Sequence, residues 1–496
     1  MTGVQFYKRN WPLLFVIPAG IILTFYTNYR AATLSITHDE AIIVKIVQQN
    51  SASDIFNFVI PQDHMINTLM MKWSSVLFSY SEYSMRLPNL LAHLVYIIFS
   101  ILLLRRLKND HLLIAGFIML NFNPYLLDFF SIARGYGLTL AWMMVSLYFT
   151  FCFVQTRKII SLIFAFIFSI IAVLTVYTLL NYFIALTGLV LMMLVLWWVT
   201  SGFKLSDYYK RLIFVVLTVV SISVLLLFLK LLIPLQRVQS ESFIFQSQAA
   251  NFYTGTIRSI VFRSIYNLQS EFTVNLVSYS VLFVYLMALL VTLVLSLKRN
   301  IFFLNRLMFF VLVISFFVLI SVTLQYQLFN IRFVQNRWAT FVVPLIVLTF
   351  IGLIEELQYG KLLKIISISV IYVIAGFFIL NTVKNCNLSF YLDWKYDAST
   401  RKMMQDIYED SGPNPEKDVK LGILWLFEPS VNYYREALQF DWLEKVHKNG
   451  YDGEYDYYYV ENIDTVLNKG ILQGKTILHT YELSNTILLK NTEYVK

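Results

Sequence analysis

Charge is scarce in this 496-residue chain, acidic charge above all in its first four-fifths, and cysteine is almost absent. Asp, Glu, Lys and Arg make up 14% of the residues, against roughly a quarter in a soluble protein. That shortage excludes an ordinary water-soluble enzyme. Cys152 and Cys386 are the only cysteines, which excludes a disulfide framework and any metal site built on several thiolates. No repeat of the kind that marks solenoids and no low-complexity tract is found.

What is present is apolar: 58% of the residues are hydrophobic and the mean hydropathy is +0.64. Apolar runs recur up to residue 380, each long enough to cross a hydrocarbon core of about 30 Å. They lack the alternation of a membrane barrel, so helices are expected. Eleven spans are predicted, at 11–29, 88–106, 111–127, 137–155, 159–179, 183–201, 212–233, 275–297, 307–326, 338–355 and 362–381. Lys8-Arg9 and the joints holding Arg105-Arg106-Lys108, Arg157-Lys158, Lys204/Lys210/Arg211, Lys298/Arg299/Arg306 and Lys361/Lys364 all fall on one side. The positive-inside rule makes that side cytoplasmic, with the other connections and the C-terminal end outside. Lys8-Arg9 would also suit a signal peptide, but cleavage would discard the anchor that precedes Asp39, so the segment is read as retained. The two cysteines then lie on opposite sides and cannot pair.

Charge divides the chain near residue 392. Residues 393–496 carry 12 basic and 18 acidic side chains; residues 1–392 carry 27 and 12. In the tail, "KLGILWLF" (420–427) and "YDYYYV" (455–460) read as strands, "PSVNYYREAL" (429–438) as a helix, and "TILHTYE" and "TILLKN" as a hairpin. The expected fold is therefore an all-α polytopic membrane domain (1–392) of about eleven spans, followed by a small α/β extracytoplasmic domain (393–496). That domain is either a stabilising cap or an acceptor-recognition lid.

Two outer segments are long, roughly 30–87 and 234–274. In the first, Ile42, Ile43, Ile46 and Val47, then Met65, Ile66, Leu69, Met70, Trp73, Val76 and Leu77, follow a helical period. Neither run is long enough to span, so both are expected flat at the interface as amphipathic helices. The second segment, with Arg237, Arg258 and Arg263, reads as a flap whose arginines suit a phosphate or carboxylate partner.

Five of the twelve acids of residues 1–392 sit in the first outer loop: Asp39, Glu40, Asp54, Asp63 and Glu82. A carboxylate in apolar surroundings is costly unless paired. One reading is structural: Thr37-His38-Asp39-Glu40 fits a capping box, and Asp63 an N-cap for a helix starting at Met65. Asp54 and Glu82 read as solvated turn residues. The other reading is chemical: carboxylates below an outer membrane surface suit proton abstraction from a hydroxyl. An Asp is a weak base near its reference pKa of about 4, so burial or crowding by Glu40 and Asp63 has to raise it. A phosphate leaving group needs cations rather than a general acid. Arg86, Arg134 and Arg337 near span ends, and Lys230 in "LFLKLLIP", are the candidates, although each can also serve as a headgroup anchor.

At these residues the sequence resembles a known family. "THDEA", "PQDHMINTLMMKW" and "SEYSMRLPNLLAHL" follow the order of the first outer loop in GT-C type membrane glycosyltransferases, the group of protein O-mannosyltransferases and aminoarabinose transferases. "NPYLLDFFSIARGYGLTLAW" (123–142) and "QNRWATFVVPLIVL" (335–348) are similar to two further stretches of that group. The resemblance implies a transferase that takes a sugar from a polyprenyl-phosphate donor at the outer face of the cytoplasmic membrane, inverting the anomeric carbon. It makes Asp39 the general base, Glu40 its neighbour, Asp63 the second acid of the loop, and Arg134 and Arg337 cations near the lipid phosphate. The family's H-P-P-L is His64-Met65-Ile66-Asn67 here, so a divalent metal near His64 is left open and no other cofactor is implied. The implied acceptor is a hydroxyl or amine on a lipid, glycan or protein, and no nucleic acid partner is expected. A transporter or flippase for lipid-linked glycans would scatter charge at mid-membrane. Here the ionisable residues gather near span ends. A non-catalytic, polymerase-type component is the remaining alternative.

Overall fold

A computed structural model describes residues 10–57, 64–200, 207–241, 251–266, 270–298, 306–358, 360–413, 415, 417–462 and 472–492. In chain order its helices are α1 (Leu13–Thr33), α2 (His38–Gln49), α3 (Ala52–Asn57), α4 (Met65–Phe78), α5 (Glu82–Leu104), α6 (Asp110–Asn121), α7 (Pro124–Ser131), α8 (Gly135–Thr156) and α9 (Ile159–Thr175). They continue with α10 (Leu180–Thr200), α11 (Asp207–Glu241), α12 (Ser259–Ser264), α13 (Glu271–Lys298), α14 (Leu307–Phe329), α15 (Val342–Glu356), α16 (Gly360–Asn385), α17 (Thr400–Ser411) and α18 (Glu428–Ala437). Four strands follow the last two spans: β1 (Leu421–Ile423), β2 (Tyr457–Glu461), β3 (Lys475–Tyr481) and β4 (Thr486–Asn491).

Each of the eleven expected spans has its helix, but they are not equal. Among the described residues eight helices are long and apolar enough to cross a membrane, nine if the bent pair α6–α7 counts as one. The pair bends by 62° where Phe122 closes one helix and Asn123 starts the next. Its side chain accepts from the N–H groups of Tyr125 and Leu126, and Pro124 at the first helical position has no N–H to satisfy. α9, with 17 residues, and α15, with 15, are shorter than the others. The segment read as a flap is helical over most of its described length. α11 runs on to Glu241, and a π-helical turn, Tyr253–Arg258, leads directly into α12.

The chain forms two compact units. The helical unit comprises Met1–Thr27, Phe56–Met70 and Leu87–Cys386; the mixed unit comprises Asn28–Ile55, Met71–Arg86 and Asn387–Lys496. Much of the first outer loop thus folds with the tail, which divides the chain otherwise than the reading of 1–392 and 393–496. The cause is the apolar stripe of α2. Ile43, Val44 and Val47 are buried and α2 packs on α18, so this helix spends its apolar face on protein rather than at the membrane interface.

In the mixed unit the sheet order is β1-β2-β4-β3, with β1 parallel to β2 and the other pairs antiparallel. β1 is shorter than "KLGILWLF" suggests, because the chain turns at Leu424–Phe427 into α18, whose Pro429 stands in its first turn. The ring of Tyr459 on β2 meets that of Phe427 at 4.7 Å, which joins sheet to helix start.

In the helical unit, small residues set the closest approaches. A Cβ on Gly352 of α15 would stand 2.7 Å from the backbone of Met308 on α14. One on Gly137 of α8 would stand 2.4 Å from the carbonyl oxygen of Phe129 on α7. Backbone cannot step aside as a side chain can. Gly137→Ala and Gly352→Ala are therefore expected to cost about 1–3 kcal/mol each, read as a lower unfolding temperature in detergent. Gly376→Ala, whose Cβ meets nothing within 4 Å, is expected to leave it unchanged; equal temperatures for all three would contradict this packing.

Candidate active site

The first turn of α2 is held on every side. Thr37, in extended conformation, accepts the N–H of Glu40 through Oγ1 at 3.4 Å, and Glu40 Oε2 accepts the N–H of Thr37 at 3.0 Å. The capping box is therefore real. The N–H of His38 donates to Asp397 Oδ2 at 2.6 Å, and the His38 ring donates from Nδ1 to the Leu426 carbonyl at 2.6 Å. Asp39 follows at the second helical position, half-buried, where the helix dipole favours a negative charge.

Glu40 does more than cap. Both its oxygens accept from Arg86, Nε to Oε1 and Nη2 to Oε2, each at 2.8 Å, and both side chains are essentially without exposure. The remaining Arg86 donors go to the carbonyls of Ala31, Leu34 and Ser35 at the end of α1, at 3.0, 2.8 and 3.0 Å. A guanidinium has five N–H groups, and all five are engaged. The expectation that Arg86 binds a donor phosphate is corrected accordingly: it ties the end of α1 to the start of α2.

Glu82 is not a solvated turn residue. It is buried, accepts from the Tyr434 hydroxyl at 2.5 Å and pairs with Arg401, while Tyr434 in turn accepts the N–H of Ile36 at 2.8 Å. Asp54 is exposed and accepts from the N–H and hydroxyl of Ser51, as a turn residue should.

A carboxylate that no motif singles out completes this turn. Asp397, fully buried in the 3₁₀ segment Leu392–Ser399, accepts from His38 N–H, from Ser430 Oγ at 2.8 Å and from Thr400 Oγ1 at 3.2 Å. Burial pushes its carboxyl up to about 7 against the pull of those donors, and the charge of nearby Asp39 adds to the rise. The like-charge crowding expected from Glu40 thus comes from Asp397, because Glu40 is neutralised by Arg86. The only sequence signal for Asp397 was an acid in a stretch rich in aromatics, "FYLDWKYD", and that is no signal for a partner in the first loop.

The helical unit holds the other candidates. Arg134 is buried at the N-cap of α8, and Gly135 beside it leaves room for His64, whose Cβ a side chain at 135 would meet at 2.9 Å. His64 itself is buried, with Nδ1 3.1 Å from the Thr175 carbonyl oxygen and its ring 4.9 Å from that of Tyr136. Arg263 lies on α12 and Arg337 on the turn Asn336–Ala339; α12 packs against both that turn and α7. Hydrogen bonds fix this arrangement: Asn336 N–H to Ser259 Oγ at 3.0 Å, and Thr256 Oγ1 to the Val334 carbonyl at 2.6 Å. Arg258 donates to Asn275 and stands 3.9 Å from Glu271, and Lys230 lies 3.5 Å from the centre of the Phe56 ring. Asp128, the only acid of the "NPYLLDFFSIARGYGLTLAW" stretch, was given no role from sequence. It is buried and accepts from the Tyr266 hydroxyl at 2.5 Å.

Asp63 lies outside the described residues, as does the side chain of Arg237. Among the described residues no three His, Cys, Asp or Glu side chains gather so as to hold a metal ion.

No family model matches the chain, and no curated protein matches it. Among solved structures the chain is similar to ArnT from Cupriavidus metallidurans bound to undecaprenyl phosphate, at 12% identity, covering 97% of this chain and 98% of that one, with a TM-score of 0.50. The apo state of that protein is matched at 10% identity over 97% of each chain, with a TM-score of 0.48. The archaeal oligosaccharyltransferase AglB from Archaeoglobus fulgidus, in complex with an inhibitory peptide and a dolichol-phosphate, is matched at 12% identity over 86% of this chain and 64% of that one, with a TM-score of 0.47. The first similarity establishes the fold: the chain shares the membrane architecture of that structure over nearly its whole length.

Removing one partner of a buried ion pair leaves the other charge desolvated and unpaired. Glu40→Gln is expected to cost about 3–5 kcal/mol of stability, and Glu40→Gln with Arg86→Met to cost less than the single change. Thermal unfolding of the purified protein measures both, and a Glu40→Gln protein as stable as the parent would contradict the assignment.

Proposed function

We propose that this protein is a membrane glycosyltransferase that moves a sugar from a polyprenyl-phosphate donor to a hydroxyl or amine of a lipid, glycan or protein acceptor. It acts at the outer face of the cytoplasmic membrane. The observation that carries the reading is Asp39, a carboxylate set at a rigid helix start in a chain that has the fold of a structure solved with undecaprenyl phosphate.

In this reading Asp39 takes the proton of the acceptor hydroxyl while its oxygen attacks the anomeric carbon from the face opposite the phosphate. The bond from that carbon to the phosphate oxygen breaks, and polyprenyl phosphate leaves with the electron pair. A single displacement inverts the centre. Positioned general bases contribute typically about 10²–10⁴-fold. The leaving phosphate needs cations, and the reading assigns Arg134 and Arg337 to it, with Arg263 and Lys230 as further candidates. Asp128, Asp63 and the arginine Arg258 belong to the same unit's chain but receive no step.

Two outcomes are expected. Asp39→Asn, produced in cells lacking the gene, leaves protein level and unfolding temperature near those of the parent but fails to restore the sugar missing from surface glycans and glycolipids by mass spectrometry. Restoration by that variant removes the base. For orientation, a membrane-impermeant maleimide added to intact cells labels the exposed Cys386 and reaches Cys152 only after permeabilisation. Labelling of Cys152 alone in intact cells inverts the topology.

A further inference from the structure

Asp397 is the one described carboxyl that the tail contributes to the first turn of α2. It is fully buried, yet three donors converge on it, and one of them is the backbone N–H of the residue before Asp39. The charge of Asp39 reaches the Asp397 carboxyl and raises it. We propose that Asp397 is the proton partner of Asp39, a positioning residue that holds the turn and sets the basicity of Asp39 through its own charge. The proposal rests on Asp39 being the base and adds a residue that the resemblance does not supply.

The charged groups packed around this pair have partners of their own. From α2, His38 directs Nδ1 to the Leu426 carbonyl and Glu40 is paired with Arg86. From α18, Tyr434 is bonded to Glu82, which Arg401 balances. From the sheet, Tyr459 faces Asp397, and burial holds its hydroxyl well above the ordinary tyrosine value. The charges of Glu40 and Glu82 are balanced, and Tyr459 stays neutral. Burial pushes the Asp397 carboxyl up to about 7.

The sign follows. Below that pH Asp397 keeps its proton and Asp39 carries the single charge of the pair. Above it both are charged, and each raises the proton affinity of the other. Asp39 becomes the stronger base as Asp397 ionises, so transfer should rise between pH 6 and 8. Coupling is mutual, so loss of the Asp39 charge must make Asp397 easier to ionise.

A hydrophobic carbodiimide, which modifies protonated carboxyls, reads this without any donor. With the purified full-length protein, labelling of Asp397 is followed against pH by peptide mass spectrometry. In Asp39→Asn the midpoint is expected to fall by about one pH unit; an unmoved midpoint overturns the pairing. The functional half uses membranes from producing cells, with their endogenous donor lipid and acceptor, the product quantified by mass spectrometry. Asp397→Asn is expected to lose the rise between pH 6 and 8, and a profile parallel to the parent's overturns it. Should Asp397→Asn fail to fold, Ser430→Ala removes one donor and is expected to move both the Asp397 midpoint and the rise in transfer to higher pH. If the midpoint falls in Asp39→Asn while that variant still transfers sugar, the pairing stands and the base assignment fails.

Discussion

The ion pair of Glu40 and Arg86 is the interaction on which the candidate site depends. Two fully desolvated charges are stable only if every donor and acceptor is used, and here the arginine spends all five N–H groups on one carboxylate and three carbonyls. The last carbonyls of α1 and the first turn of α2 are thereby tied to one planar group. The turn that leads to Asp39 is pinned at both ends. A base is useful only if it is held within a fraction of an ångström of its task, and this lock holds the proposed base, Asp39, from the side of the chain that enters the turn.

The second lock comes from the tail. Asp397 satisfies His38 N–H, and Tyr434 satisfies Ile36 N–H, two backbone donors that the chain would otherwise have to bury unpaired. The electrostatic consequence can be ranked. A helix N-terminus stabilises a carboxylate by about 0.3–1 kcal/mol, less than one pKa unit, and so weakens Asp39 as a base. A second carboxylate in a buried setting moves a pKa by more than that. Under the proposal, an ionised Asp397 opposes the dipole and strengthens Asp39 as a base.

Much of the architecture was legible in the residues. Each expected apolar run has its helix, eight or nine of them among the described residues long and apolar enough to cross a membrane, because in lipid a backbone has to satisfy itself. The hairpin at 475–491 and the helix after Pro429 were also read from local pattern. The capping box of Thr37 and Glu40 was visible because capping is a matter of three residues. The errors have a common source. Arg86 looked like a phosphate ligand and Glu82 like a solvated acid because charge says nothing of its partner. Their partners lie 46 and more than 300 residues away. The stripe of α2 was likewise read correctly as apolar and wrongly as membrane-facing, since a stripe does not name the surface that covers it.

By itself, then, the sequence determined a membrane chain of helices, a polar tail with a small sheet, and an acidic turn where the first span ends. These follow from hydropathy, periodicity and capping, which act over a few neighbouring residues. Only the tertiary structure decided which acid is neutralised and which acquires a like-charged neighbour. Pairing between Glu40 and Arg86, or between Asp39 and Asp397, depends on distances through space, and a sequence records distances only along the chain.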